Sequence, residues 1–259
     1  MAEQTRKTRF SDYSMPYTSP GKEQYQIVMQ SIEEKPHLKQ WDILLDPHRF
    51  TLVSGGWRGG KSRIASLKLT ADTLSNLGVL NDLYWIVGPD YEQCREEARY
   101  CLDFHDRVGA LDKRSVSFPQ EGPVSIGLRN GTKIVTKSAY EPEKLGSVAP
   151  RGVCMVEAAQ QPYEAYNVLM GRLAEKRGWL NISGTFKPVG VHKTVYRWFE
   201  QLWRQWAVGA GDGKSFSLAS WDNPTVFPGG RYDPEILRLE RDLVDFDERI
   251  GGIPRVPAG

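Results

Sequence analysis

Short runs of consecutive apolar residues alternate along the chain with longer stretches whose apolar positions recur every three or four residues. FTLVS (50–54), LYWIVG (83–88), GVCMV (152–156), WLNISG (179–184) and FSLAS (216–220) read as strands of a parallel sheet, where both faces are covered and polar alternation disappears. DYEQCREEARYCLDF (90–104) opens with Asp90 as a predicted N-cap and Gln93 three positions later, and it sets Cys94, Ala98, Cys101 and Leu102 on one helical face. IASLKLTADTLSNL (64–77), HKTVYRWFEQLWRQW (192–206) and DPEILRLERDLVDF (233–246) read as further helices, the last with Asp233 as N-cap and Pro234 at its first position. Residues 26–46 supply a helical lead-in. VSIGLRNGTKIVTKS (124–138) departs from this rhythm: two alternating runs flank Asn130-Gly131, a pair suited to a type I′ turn, which predicts an antiparallel hairpin beside the parallel strands. Strands and helices in alternation predict an α/β fold with a central, mainly parallel sheet flanked by helices.

The helix at 192–206 carries Trp198, Phe199, Trp203 and Trp206, and two uses compete for that row. Helical spacing by itself produces a core-packing stripe, and base stacking is the alternative. Composition adds limits. With 259 residues, 40% of them hydrophobic and 25% charged, the chain is able to bury a large core. A net charge of +2 excludes a uniformly basic nucleic-acid surface, while leaving room for a local stripe. Cys94, Cys101 and Cys154 match neither a zinc site nor a disulfide framework, so reduced core thiols are expected. No signal peptide or membrane span is legible, and a soluble intracellular protein is the expectation. Residues 1–25 are polar and read as an arm, 26–186 as the core, 187–250 as a small C-terminal subdomain and 251–259 as a linker.

One stretch carries chemistry. Gly55-Gly56-Trp57-Arg58-Gly59-Gly60-Lys61-Ser62 follows an apolar strand and precedes a helical pattern, the context that G-x-x-x-x-G-K-[ST] requires. Glycines let successive N–H groups turn inward onto phosphate oxygens, and the helix N-terminus adds partial positive charge. Lys61 is the predicted ligand of the outer phosphates and Ser62 of Mg²⁺, so the loop reads as a nucleoside triphosphate site. Glu157 ends the GVCMV run, where its carboxylate emerges at the carboxyl end of a strand, as ligands in open α/β sheets require. Ser183-Gly184-Thr185 ends another strand and reads either as a phosphate-sensing segment or as a simple turn.

In this order the segments resemble the ATPase domain of the large terminase subunit, the DNA-packaging motor of tailed bacteriophages. The likeness runs from about residue 37 to the end. It rests on Gln40, GGWRGGKS, WIVGPDYEQCR, VCMVEAA, ISGT and SWDNPTVFP. The resemblance implies a P-loop NTPase of the ASCE/RecA-like class with a C-terminal lid. It implies ATP and Mg²⁺ as cofactors, Gln40 as an adenine contact, Arg58 as a cis-acting arginine and Glu157 as the catalytic glutamate. Ser62 and Glu157 become the metal-side groups, and Ser183, Gly184 and Thr185 the coupling segment. A solvated loop charge is the alternative for Arg58, and a structural role the alternative for Glu157.

Two features depart from the family. Val156 stands where an aspartate usually precedes the glutamate, so either Ser62, phosphates and water suffice for Mg²⁺ or Glu157 serves twice. EPEKLGSVAPRG (141–152) offers Arg151, and behind it Lys144, for an arginine acting in a neighbouring subunit. The implied partners are double-stranded DNA held without sequence reading, a portal protein, the small terminase subunit and further copies in a ring, in the host cytoplasm and with no membrane. IPRVPAG (253–259) resembles the segment before the family's nuclease domain, whose acidic cluster has no counterpart here. A helicase-type translocase is the nearest rival, and a nucleotide-gated assembly protein with little turnover is the rival from another class.

Overall fold

The computed structural model describes residues 20–76, 78–186 and 197–254. Its helices are α1 (Lys22–Ser31), α2 (Leu38–Leu44), α3 (Lys61–Ser75), α4 (Arg95–Arg107), α5 (Tyr163–Lys176), α6 (Trp198–Ala207), α7 (Pro234–Asp242) and α8 (Phe246–Arg249). Its strands are β1 (Phe50–Gly55), β2 (Leu83–Gly88), β3 (Ser125–Gly127), β4 (Lys133–Ser138), β5 (Gly152–Met155), β6 (Trp179–Gly184) and β7 (Gly213–Leu218). They form a sheet in the order β3-β4-β2-β5-β6-β1-β7. Every pairing is parallel except β3 with β4, so the hairpin extends one edge, as the sequence predicts.

Alternate residues of the central strands feed two faces. Leu52, Trp85, Val87, Val153 and Met155 join α5 and α6 in one apolar cluster, while Ile86, Cys154 and Val156 pack with α3 and α4 in another. Val53 and Leu218 meet α1, α2 and α3 in a third. Helices therefore cover both faces of the sheet, which is why β1 and β6 are buried along their whole length. The three cysteines are free and buried, as expected. Trp198, Phe199 and Trp206 are buried in the main core, with Trp203 packed against it, which assigns the aromatic row to packing. Among the described residues no helix is long and apolar enough to cross a membrane.

Several expectations need correction. The hairpin turn is not type I′: only Gly131 has a positive φ (82°), and its N–H reaches the Leu128 carbonyl (2.9 Å). That is a type I turn closed by a glycine bulge. The last strand runs over 213–218 rather than 216–220, because Gly213, Lys214 and Ser215 pair with the start of β1 at the sheet edge, where polar residues are tolerated. The boundary at 187 falls inside the α/β unit, since α6 and β7 complete its core and sheet. A separate apolar cluster is built instead from Ile236, Phe246 and Ile250. The lead-in 26–46 is two helices, interrupted where Glu33 takes φ 57° and Pro36 follows. The polar arm is shorter than expected, for α1 starts at Lys22 and Tyr25 is fully buried; residues 1–19 lie outside the described residues. Residues 192–196 of the sixth helical stretch lie outside them too.

Asp90 lies one residue before the N-cap, Tyr91, of a 3₁₀ turn over Glu92–Cys94 that leads into α4, and it accepts from the Gln93 amide at 2.9 Å. Asp233 accepts from the Glu235 amide at 3.1 Å and Pro234 begins α7, as expected, although that helix stops at Asp242.

Candidate functional site

The loop between β1 and α3 turns on glycines that have no room for a side chain. A Cβ at Gly55 would lie 2.6 Å from the Lys61 stem, and one at Gly56 would lie 2.2 Å from the Ile250 carbonyl oxygen. Arg58 (φ 61°) and Gly60 (φ 94°) take left-handed conformations, and α3 then begins with no side chain capping it. The first N–H groups of an α-helix have no intrahelical partner, so this loop and helix start present donors and a partial positive charge to an anion. The Lys61 ammonium donates to the Gly55 and Gly56 carbonyls, each at 3.1 Å.

The loop borders a cleft of about 600 Å³ at the carboxyl ends of the strands, lined by Arg58, Lys61, Ser62, Glu157, Thr185 and Asn223 among others. Strand order explains the meeting. β6 lies between β1 and β5, so Thr185 emerges between the glycine loop and Glu157. Glu157 sits just past β5 with φ 49° and ψ 39°. A left-handed non-glycine residue costs on the order of 1–3 kcal/mol, a strain that recurs at functional sites. The Gln160 amide donates to its carboxylate at 3.0 Å and holds it at the cleft. The Thr185 hydroxyl donates to the Gly55 carbonyl at 2.9 Å, Gly184 leaves room for the Phe199 ring, and Ser183 is buried in β6.

The segment after β7 is fastened to the glycine loop itself. The Gly56 and Trp57 amides donate to the carbonyls of Leu218 (2.9 Å) and Arg249 (2.7 Å), the Arg249 guanidinium stacks on the exposed Trp57 ring at 5.0 Å, and Asn223 donates to the Arg58 carbonyl at 2.7 Å. Gly252 accepts from Ser54 (2.5 Å) and Ser217 (3.1 Å). The glycine loop and the C-terminal end of the described chain are therefore in direct contact.

Gln40 is buried beside the loop, its amide 3.5 Å from the Gly60 carbonyl while its oxygen accepts from the His37 amide at 3.2 Å. Lys144 is exposed and ion-paired to Glu141 in a turn after β4. Arg151 goes elsewhere. It precedes β5, at the opposite end of the sheet from the cleft, 3.3 Å from Asp82 and 3.5 Å from the Asn76 side chain. Asp82 also binds Lys176 at 3.1 Å, so Arg151 has an intramolecular role in closing the amino edge of the sheet.

Sequence reasoning found the helix that is α4 but gave it no place at the site. Glu96 and Tyr100 line the cleft, and Glu97 beside them in the same helix is buried. Burial pushes the Glu97 pKa up to about 7, with Glu96 and Glu157 adding repulsion. The signal was present: Glu97 falls on the Cys94, Ala98, Cys101 face, a charge on an otherwise apolar stripe. Asn223 and Thr225 lie within SWDNPTVFP, and the sequence alone gives them no place at the cleft that they line. Ser62, Glu97 and Glu157 offer only oxygen donors, a chemistry that fits Mg²⁺. Among the described residues no group of three or more His, Cys, Asp or Glu side chains is arranged to hold a metal by itself, and Mg²⁺ commonly relies on phosphates and water for most of its shell.

No protein-family model matches the sequence, and no curated protein matches it either. Solved structures do match. The large terminase ATPase domain of Thermus phage P74-26 superposes with a TM-score of 0.67 at 20% identity, covering 86% of this chain and 96% of that one. The large terminase of a thermophilic bacteriophage gives 0.60 at 14% identity over 92% of this chain and 54% of that one, and the bacteriophage HK97 large terminase gives 0.61 at 14% over 87% and 54%. The chain thus spans about half the length of these last two proteins. The thermophilic-phage terminase is also known in complex with ADP and with ATP-gamma-S. At these identities the likeness establishes a shared fold.

Proposed function

We propose that this chain, which has the fold of the phage large-terminase ATPase domain, is an ATP-hydrolysing motor domain that drives double-stranded DNA into a procapsid. The observation that carries the reading is the meeting of the Lys61 loop and the strained Glu157 across one cleft, with Thr185 between them. Loop amides and the start of α3 receive the phosphates, and the Lys61 ammonium exchanges the Gly55 and Gly56 carbonyls for phosphate oxygens. Arg58 adds positive charge where negative charge builds up, and Glu157 orients the attacking water and takes its proton. Mg²⁺, held from the protein side by Ser62 with Glu157, supplies charge neutralisation on the phosphates. Gln40 reads the adenine.

Ser183 to Thr185 and the contacts of the C-terminal segment with Trp57 and Arg58 then carry phosphate release into movement. DNA is gripped through its phosphates without sequence reading, in a ring of subunits docked on a portal protein, with the small terminase subunit as a further partner, in the host cytoplasm. The buried Val156, in the place of an acidic residue, supports a second reading: a nucleotide-gated assembly protein with little turnover.

Phosphate release measured with and without double-stranded DNA, at several protein concentrations, separates the readings. A motor domain turns over faster with DNA and with assembly. Binding without release supports the gated protein, and stimulation by single strands alone supports a helicase-type translocase.

A further inference from the structure

Two residues of the glycine loop take a left-handed backbone, Gly60 and Arg58 (φ 61°), and only Arg58 carries the β-carbon that this region disfavours. Its carbonyl is held from outside the loop. The Asn223 side-chain amide donates to it at 2.7 Å, while the oxygen of the same amide accepts from the Thr225 backbone at 3.2 Å. Both ends of the amide are thus engaged, and its orientation is fixed. Arg58 and Asn223 line the same cleft as Lys61 and Glu157. Three further bonds tie the C-terminal part of the chain to the loop, but they end at its first half: the Gly56 amide on the Leu218 carbonyl (2.9 Å), the Trp57 amide on the Arg249 carbonyl (2.7 Å), and the Ser220 hydroxyl on the Trp57 carbonyl (2.5 Å). Among the described residues no hydrogen bond or ion pair holds the exposed Arg58 guanidinium, so the direction in which it leaves the loop is set by the backbone beneath it.

We infer that Asn223 is a positioning residue for Arg58: its bond to the Arg58 carbonyl keeps the left-handed turn that aims the guanidinium at the nucleotide phosphates. Without that bond the Arg58 backbone is free to relax into the right-handed region, and the β-carbon and guanidinium turn away with it. Asn223 therefore acts through Arg58 rather than on the nucleotide. The bonds at Gly56 and Trp57 keep the C-terminal part docked when Asn223 is replaced, so the effect is confined to Arg58. The inference rests on the reading of the cleft as a site of ATP hydrolysis in which Arg58 meets the developing charge.

The test is a double-mutant cycle on the intact chain, read in ATP hydrolysis, with ADP affinity measured beside it. Asn223→Ala is expected to lower kcat about 10–100-fold while ADP affinity stays close to wild type. Arg58→Gln removes the charge and keeps the β-carbon. Adding Asn223→Ala to that variant is expected to cost less than it does in wild type, because no guanidinium remains to be aimed. A loss as large in the Arg58→Gln background as in wild type makes Asn223 a simple clamp and overturns the inference, and so does a wild-type kcat in folded Asn223→Ala. Asn223→Asp keeps the shape and the acceptor but sets an oxygen where the donor was; it carries the same cycle, with the same outcomes, if the alanine variant does not fold. A wild-type chain that releases no phosphate, or Arg58→Gln with wild-type kcat, would instead overturn the hydrolytic reading of the cleft, and this inference with it.

Discussion

Lys61 and Thr185 donate to the same oxygen: the lysine ammonium at 3.1 Å and the threonine hydroxyl at 2.9 Å both reach the carbonyl of Gly55. In the proposed cycle the ammonium would leave for a phosphate while the threonine keeps the carbonyl, which would link the state of the loop to the end of β6. Thr185→Val removes the hydroxyl with little change of shape. The expected cost is about 1 kcal/mol of stability, with turnover falling about tenfold, equivalent to 1.4 kcal/mol, while nucleotide affinity stays near wild type. Parallel measurement of kcat and of nucleotide Kd checks this; equal losses in both would reduce Thr185 to a prop for the loop.

Gly56 tests the fastening of the C-terminal segment. Its Cβ would meet the Ile250 carbonyl oxygen at 2.2 Å and the Ser220 hydroxyl at 2.5 Å, and the first of these is backbone. Gly56→Ala is expected to cost about 1–3 kcal/mol and to expose residues 219–254 to limited proteolysis. A methyl group added at Gly171 in α5 would meet nothing within 4 Å, so Gly171→Ala is expected to stabilise by about 0.5–1 kcal/mol. Urea denaturation of the two variants gives the contrast.

His105 sets a pH dependence. It is fully buried, its Nδ1 donates to the Cys101 carbonyl at 2.6 Å, and its Nε2 lies 2.8 Å from the Thr73 hydroxyl. Burial pushes its pKa down to about 4 from an ordinary 6.5. The unfolded chain therefore binds the proton first, so this contribution is present above pH 6.5 and is lost as pH falls towards 4, by about 3 kcal/mol. Melting temperatures of wild type and His105→Gln between pH 7 and 4 check it. The variant should show the shallower decline, and identical slopes would contradict the assignment.

Arg151 is paired within its own subunit, to Asp82, and its removal is expected to act on stability. Arg151→Ala leaves Asp82 with Lys176 alone and is expected to cost about 1 kcal/mol, with hydrolysis per folded molecule unchanged. Loss of hydrolysis in the folded Arg151→Ala variant, recovered on mixing with Glu157→Ala subunits, would show that the side chain leaves Asp82 and acts in trans.

Much of this was legible in the order of apolar runs. The strands at 50–55, 83–88 and 179–184 announce themselves because both faces are covered, and the glycine loop because only glycine fits beside Lys61 and Ile250. β7 was misjudged, since an edge strand carries Lys214 and Ser215 without penalty and its partner, β1, lies far away in sequence. The hairpin was legible from Asn130-Gly131, but its turn type was not: Asn130, which lacks the positive φ of a type I′ turn, is bonded to Val79 (3.0 Å) and Asn81 (3.2 Å) from another segment. Glu97 escaped because its meaning depends on α4 packing against α3. The place of Arg151 was not legible, because a local sequence window does not show which end of the sheet a residue joins.

The central claim is that Glu157 faces the terminal phosphate of a nucleotide seated beside Lys61. Single-turnover release of phosphate from pre-bound ATP, compared between wild type and Glu157→Gln, tests it most directly. The account predicts equal ATP binding and phosphate release slower by about 10²–10⁴-fold in the variant. Release at the wild-type rate, from a variant shown to hold ATP, would contradict it.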